Sequence, residues 1–259
     1  MHYNIENEYS KLTKFVEKIN KFYVREGKFA QSYFESRGLN ENARNFFGIG
    51  YAPKTQKTLE FIRLNNLSEN YLAESGIFIK KDDGIFDLFS NRITFALNDI
   101  QGNFVGFSAR IFTPQQEQAD LSKYVNSTSS PIFQKSLLLY NLYNAIPYIK
   151  QQGYAILVEG NMDVISLWLN GIKNVVAPCG TSLTEEQIKL LKLFTKNVVI
   201  CYDNDIGGNA SLPKVTALFI NEKINAYPLN LMGAKDPDEF IQKYTVAPIL
   251  SALSSLQLA

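Results

Sequence analysis

Six acidic residues in the C-terminal part of the chain are grouped as a cation would require. Glu159 and Asp163 belong to "VEGNMD", Asp203 and Asp205 to "VVICYDNDIGG", and Asp236 and Asp238 to "KDPDEF". Residues 151–259 hold ten Asp and Glu, so most of the acid in this region sits at three points. In an extended segment residues i and i+2 point the same way, as Asp203 and Asp205 would. Carboxylates held that close repel, and a divalent cation between them removes the repulsion. Two such ions bridged by carboxylates are a common apparatus for moving phosphoryl or nucleotidyl groups. The alternative at each point is a helix start. Asp203 or Asp205 would cap a helix, Asp163 would favour a helix dipole, and Asp236-Pro-Asp238-Glu239 is an ordinary helix opening. Glu159 has no such alternative, because it closes an apolar strand.

Other chemistries are excluded by residue type. The only histidine is His2, which rules out a Ser-His-Asp triad, a Cys-His pair and a four-ligand zinc site. Metal binding must then use oxygen ligands, which suit magnesium, manganese or calcium. Cys179 and Cys201 each end an apolar run and read as buried free thiols, not as a disulfide framework. Residues 1–150 hold 18 Lys+Arg against 15 Asp+Glu, net +3; residues 151–259 hold 8 against 10, net −2. A balance this even requires any nucleic-acid contact to rely on a local patch. With 46% hydrophobic and 20% charged residues the chain reads as globular. No apolar run approaches the roughly 18 residues that span a membrane. The opening "MHYNIENEYSK" lacks the apolar core of a signal peptide. The expected setting is cytoplasmic, with no membrane contact.

The acidic groups need elements to position them, and residues from 151 onward alternate regularly. "YAILVEG", "KNVVAPCG", "NVVICYD" and "NAYPLNL" read as four strands, the last at an edge because of its proline. Between them lie helical patterns. In "NMDVISLWLNG", Met162, Ile165, Trp168 and Leu169 share a face that closes on Gly171. "TSLTEEQIKLLKLF" opens with a capping box, Ser182 to Glu185 or Thr184 to Gln187. "NASLPKVTALFINE" reads as a helix with Pro213 in an early turn, and "DPDEFIQKY" opens a last one. Alternating strands and helices with wholly apolar strands predict a parallel sheet covered on both faces. Ligands bind such sheets beyond the C-terminal strand ends, where all six acids fall; if the strands are neighbours, the six converge.

The first half is less regular. Two helices are expected over "SKLTKFVEKINKFYVREGKFAQSYFESRGL", the second ending at Gly38, and "NENARNFFGIGYAP" reads as a short helix and a turn. "RITFALNDIQGNFVGFSARIF" is a hairpin turning at Asp99–Gly102, and "TPQQEQADLSKYVNSTSSP" reads as an exposed, mobile polar loop.

Glu159-Gly-x-x-Asp163 followed by Asp203-x-Asp205 after a strand resembles the signature of the Toprim domain, shared by bacterial DnaG-type primases, topoisomerases and some nucleases. The rest resembles the primases. "EGNMDVISLWLNGIKNVVAPCGTSLTEEQI" is similar to their E-G-Y-M-D…L-G-T-S segment, "CYDND" to Y-D-G-D and "KDPDEFIQK" to E-D-P-D. Upstream, "YFESRGL", "FGIGYAP", "RITFALNDIQGNFVGFSAR" and "SKYVNS…IFQKSLLLYNLYNA" resemble the basic half of the primase core, in order. The resemblance implies an α/β fold in which a smaller mixed α/β basic subdomain (1–145) precedes a Toprim parallel sheet flanked by helices (146–245). Residues 246–259 would begin a truncated helical segment.

It also implies a function: short RNA primers made on single-stranded DNA from ribonucleoside triphosphates by two-metal nucleotidyl transfer. Glu159, Asp203 and Asp205 would be catalytic. With Asp236 and Asp238 they would hold two or more Mg²⁺ or Mn²⁺ ions, supported by Asp163. Arg92, Arg110, Lys123, Tyr124, Asn126 and Lys135 would contact template or nucleotide. The charges of Arg110, Lys123 and Lys135 suit a nucleic-acid backbone or a triphosphate, and Tyr124 a stacked base. Exposed hairpin positions are the plain alternative for Arg92 and Arg110, and a solvated loop for 123–126. Asn161 stands where the family usually has an aromatic, Ile206-Gly207 where Arg-Ala is common, and Ser136 replaces a small or basic residue. No zinc-binding segment and no helicase-binding domain lie within these residues, so an excised core or a reduced relative is expected. A replicative helicase would partner the full-length protein, and the expected state is a monomer. Two other readings stay open: a different Toprim enzyme such as a nuclease, and a non-catalytic primase relative that only grips single-stranded DNA.

Overall fold

The computed structural model describes residues 2–82, 84–180, 182–231 and 233–255. Thr181 of the Gly-Thr-Ser run and residues 256–259 of the last segment lie outside the described residues. The chain divides into two compact units, one reaching Lys135 and one beginning at Ser136.

The first unit opens with α1 (His2–Glu26), a 3₁₀ turn (Gly27–Ala30), α2 (Gln31–Ser36) and α3 (Glu41–Phe47). Leu12, Phe15, Val16, Ile19, Phe22 and Tyr23 recur at helical spacing, and all six are buried. That stripe packs on a four-stranded sheet, through β1 (Ile49–Ala52) and β5 (Phe104–Arg110). The next elements are α4 (Thr55–Leu64), α5 (Asn70–Glu74), and a separate hairpin of β2 (Phe78–Lys81) and β3 (Gly84–Asp87). β4 (Arg92–Asn98) and β5 form the expected hairpin, and α6 (Pro114–Gln118) and β6 (Tyr124–Asn126) follow. The sheet order is β1-β4-β5-β6, antiparallel throughout.

Two readings of this half are corrected. The run after α3 is strand β1, not a turn. Gly50 makes the strand possible: a Cβ there would sit 2.4 Å from the Tyr23 backbone, so only glycine lets α1 lie this close. The polar stretch 113–131 is not simply a loop. Thr113 and Gln116 form a capping box with Pro114 at the first helical position, giving α6. Tyr124–Asn126 then pairs with β5, Tyr124 opposite Arg110.

The second unit contains β7 (Leu139–Tyr140), α7 (Leu142–Gln152), β8 (Ala155–Leu157), α8 (Asn161–Leu169), β9 (Val175–Pro178) and α9 (Glu185–Lys192). β10 (Asn197–Ile200), α10 (Ile206–Asn221), β11 (Asn225–Pro228), α11 (Pro237–Tyr244) and α12 (Ala247–Ser255) complete it. The sheet order is β11-β10-β8-β9-β7. β8 to β11 are parallel, as their apolar runs predict, and β7 joins antiparallel to β9. Ala155, Leu157, Val176, Val198 and Ile200 from the strands pack with Ile149, Ile188, Leu191 and Phe219 from the helices. Both cysteines are buried free thiols. Thr184 and Gln187 form the capping box of α9.

Two details depart from expectation. α10 begins at Ile206, three residues before the expected start, so Pro213 lies in the helix interior and not in an early turn. α8 buries Val164 and Leu167 while Leu169 is exposed, because the helix is covered on more than one face. No helix among the described residues is long and apolar enough to cross a membrane.

Candidate active site

The adjacent strands β8 and β10 of the second unit lead into Glu159 and Asp203, and the loop after β11, the next strand, reaches Asp236 at the start of α11. The Cys201 N–H donates to the Leu157 carbonyl at 2.8 Å and continues the β8–β10 ladder past both strands. Residues 159 and 203 are thereby set side by side, and Glu159 Oε1 accepts the Asp203 N–H at 3.0 Å. On the other flank the Asn204 N–H donates to the Lys235 carbonyl at 2.6 Å, tying the loop after β10 to the turn before α11. α11 packs against α8, and the Asp238 backbone N–H donates to the Asp163 carboxylate.

The capping alternative holds for three of the six. Asp205 caps α10, its Oδ1 accepting the Gly208 N–H at 2.9 Å. Asp236 caps α11, its Oδ1 accepting the Glu239 N–H at 2.7 Å. Asp163 Oδ2 accepts the Gly160 N–H at 3.1 Å. Each of these bonds uses one carboxylate oxygen. Asp203 caps nothing, and its Oδ1 is buried with no hydrogen-bond partner.

The electrostatics show crowding. Burial, then the charges of Glu159, Asp236 and Asp205, push the Asp203 carboxyl up to about 7; Lys235 opposes this. Glu159 is raised by burial first and by Asp205, against the Asp203 N–H and Lys235. Asp163 lies well above the usual carboxylate range because it is buried and faces the charges of Asp203, Asp236 and Asp238. These carboxylates feel one another, yet among the described residues no group of three His, Cys, Asp or Glu is arranged to hold a metal ion. The donor set itself fits a hard divalent cation: the candidate ligand atoms are all oxygen, Lys235 offsets only part of the negative charge, and Asp203 Oδ1 lacks a partner.

In the first unit Arg92 and Arg110 are each 8% exposed, so neither is the exposed hairpin residue of the plain alternative. Arg92 Nη1 donates to the Ser122 carbonyl at 2.8 Å, and burial lowers its pKa. The Arg110 guanidinium lies 5.3 Å from the Tyr33 ring centroid and 5.5 Å from that of Tyr124. Its Nε donates to the Ile111 carbonyl at 3.1 Å. Lys123, Tyr124 and Lys135 are exposed. Asn126 is half-buried, and its Oδ1 has no hydrogen-bond partner.

The family model described as "DNA primase catalytic core, N-terminal domain" matches residues 18–146, and a Toprim-like model matches residues 156–241. A DNA primase of Aquifex aeolicus is 38% identical over 216 residues, which cover 83% of this chain and 42% of that protein. The chain belongs to the DnaG-type primase family. It spans 42% of the Aquifex aeolicus protein, and 36% and 35% of the DNA primases of Staphylococcus epidermidis and Enterococcus faecalis that it also matches. Its fold agrees with the solved zinc-binding and RNA polymerase domains of the Aquifex aeolicus primase. Identity is 34% and the TM-score 0.87, over 95% of this chain and 60% of that one. A DnaG primase catalytic domain solved bound to single-stranded DNA is 28% identical, with a TM-score of 0.84 over 96% of this chain and 80% of that one.

Three residues of this primase core escaped sequence reasoning. Gly208 is one: a Cβ there would lie 2.0 Å from the Asp203 carbonyl oxygen and 2.9 Å from Glu159 Oε1, so glycine alone admits the first turn of α10. The adjacent glycines after Asp205 were the available signal. Lys235 is the second, the cation that opposes the raised pKa of both Glu159 and Asp203; its neighbour Asp236 drew the attention. Tyr33 is the third, and nothing local in its sequence announces the contact with Arg110.

Proposed function

We infer that this chain is a nucleotidyl-transferring core that extends short RNA primers on single-stranded DNA from ribonucleoside triphosphates. The observation that carries the reading is the acidic cluster: neighbouring strand ends bring together carboxylates that raise one another's pKa, with Asp203 Oδ1 unpartnered. The relatives named DNA primase and the similar catalytic domain bound to single-stranded DNA support it.

In this reading Glu159, Asp203 and Asp205, with Asp236 and Asp238, would hold two or more Mg²⁺ or Mn²⁺ ions, and Asp163 keeps Asp238 and Gly160 in place. Bound ions would supply charge neutralisation and Lewis acidity for attack of a 3′-hydroxyl on an α-phosphate with pyrophosphate leaving. The chain's own contribution is mainly positional. The Asp203 N–H fixes the Glu159 carboxylate at its strand end, and the helix caps fix Asp205 and Asp236. Lys123 and Lys135 bind phosphate, while Arg110 holds the Tyr124 ring for a base.

The test is incorporation of labelled ribonucleotides onto a primed single-stranded template across a Mg²⁺ and Mn²⁺ titration. Metal-dependent extension, lost in Glu159→Gln with the fold intact, is expected. Degradation of the template without nucleotides would instead identify a nuclease. Extension by Glu159→Gln equal to wild type would overturn the assignment.

A further inference from the structure

The first unit carries a row of flat side chains drawn from four segments of the chain. Phe29 lies 6.2 Å from Tyr51, Tyr51 5.8 Å from Phe112, and Phe112 5.9 Å from Tyr33, centroid to centroid. Tyr33 meets the Arg110 guanidinium at 5.3 Å, and Arg110 meets Tyr124 at 5.5 Å. The two ends of the row are exposed, Tyr33, Tyr51 and Phe112 between them are half-buried, and Arg110 is buried. Phe34, Phe89, Phe95 and Phe107 in the same unit are at most 1% exposed, whereas Phe29 is 58% and Tyr124 39% exposed.

Cations accompany the rings. Lys57 and Lys28 place their ammonium groups 4.8 and 5.4 Å from the Phe29 centroid, Lys57 while also paired with the Glu26 carboxylate, and the Arg37 guanidinium lies 5.9 Å from the Tyr33 centroid. Beside the middle of the row a cavity of about 570 Å³ is lined by Tyr51, Phe112, Arg92, Asn91, Thr113 and Gln116. That volume lies in the range of small-ligand sites, and it combines aromatic faces, amides and a guanidinium.

The geometry points to a second, stacking stretch of template contact. Unpaired bases run from Tyr124 along the row to Phe29, Lys28 and Lys57 contact the phosphates at that end, and the cavity takes one base from the strand. This rests on the reading of the first unit as template-binding, and extends it to residues outside the six implied by family resemblance. An aromatic surface could also take a proline-rich peptide, which gains nothing from lysines at the rings. A polyanion with flat bases uses both features.

The test is equilibrium binding of short and long oligothymidines to the full chain at several salt concentrations. Phe29 is exposed, so its replacement leaves the melting temperature nearly unchanged. Phe29→Ala is expected to weaken the long oligomer roughly ten-fold with the salt slope unchanged, and to leave the short one nearly unaffected. Lys28→Ala should lower the slope of log affinity against log salt by about 0.7. Phe29→Trp should restore affinity, and its emission should quench as oligothymidine saturates. Unchanged affinity in Phe29→Ala, while Lys123→Ala with Lys135→Ala weakens binding, overturns the row and leaves the template reading standing. Quenching of Phe29→Trp by a polyproline peptide and not by oligothymidine overturns it in favour of a peptide. No binding of either oligomer by folded wild type overturns both readings.

Discussion

Asp203 and Asp205 stand two residues apart and should respond in opposite directions when truncated without metal. Asp205 caps α10, so Asp205→Ala should cost about 1 kcal/mol and lower the melting temperature. Asp203 caps nothing and sits among like charges, so Asp203→Ala should hold or raise it. Both variants should lose the stabilisation that Mg²⁺ or Mn²⁺ gives wild type, and wild type should need less Mn²⁺ than Mg²⁺. Thermal melting across a metal titration reads all of this; a full metal shift in both variants would leave the aspartates as structural residues only. Asp87 makes a separate residue-level test. It is buried and accepts bonds from Tyr23 and Thr58 at 2.6 and 2.9 Å, and burial pushes its carboxyl up to about 6. An unfolded Asp titrates near about 3.9. The folded state therefore binds the extra proton between those values. The resulting stabilisation is complete below about pH 4 and lost as the pH rises through about 6. Denaturant melts of wild type should show this loss relative to Asp87→Asn, which has no carboxyl to titrate there.

At the scale of elements, the start of α10 sets the tightest constraint. Gly208→Ala drives a Cβ into the Asp203 carbonyl, and its cost should be about 1–3 kcal/mol with impaired metal response. Gly207→Ala meets only Asp205 Oδ1 at 3.3 Å and should be neutral or gain about 0.5 kcal/mol from helix propensity. Equal denaturation midpoints for the two variants would refute the close approach. The same contrast explains what could be read beforehand. β8 and β9 are wholly apolar, and β10 is apolar after Asn197; buried parallel strands between helical patterns require that composition, so the sheet and the acids at its ends were legible. β1 was not, because its strand character depends on Gly50 lying against Tyr23, far away in sequence. β6 was not, because three polar-flanked residues become a strand only beside β5. The burial of Arg92 and Arg110 was hidden likewise, since Ser122 and Tyr33 reach them through tertiary contacts.

At the scale of the whole chain, each unit carries its own sheet, and all six acids belong to the second. Divalent metal should therefore slow amide exchange around β8, β10 and the start of α10, leaving α1 and the β4–β5 hairpin unchanged. Exchange mass spectrometry with and without Mn²⁺ resolves the two sets, and uniform slowing throughout would contradict the assignment of the ions to those carboxylates. All six acids occur between Glu159 and Asp238, within the second unit. Such a stretch can be inherited as a cassette. Descent could join it to different partners upstream and hand the same acidic cluster to enzymes that build strands, cut them or rejoin them.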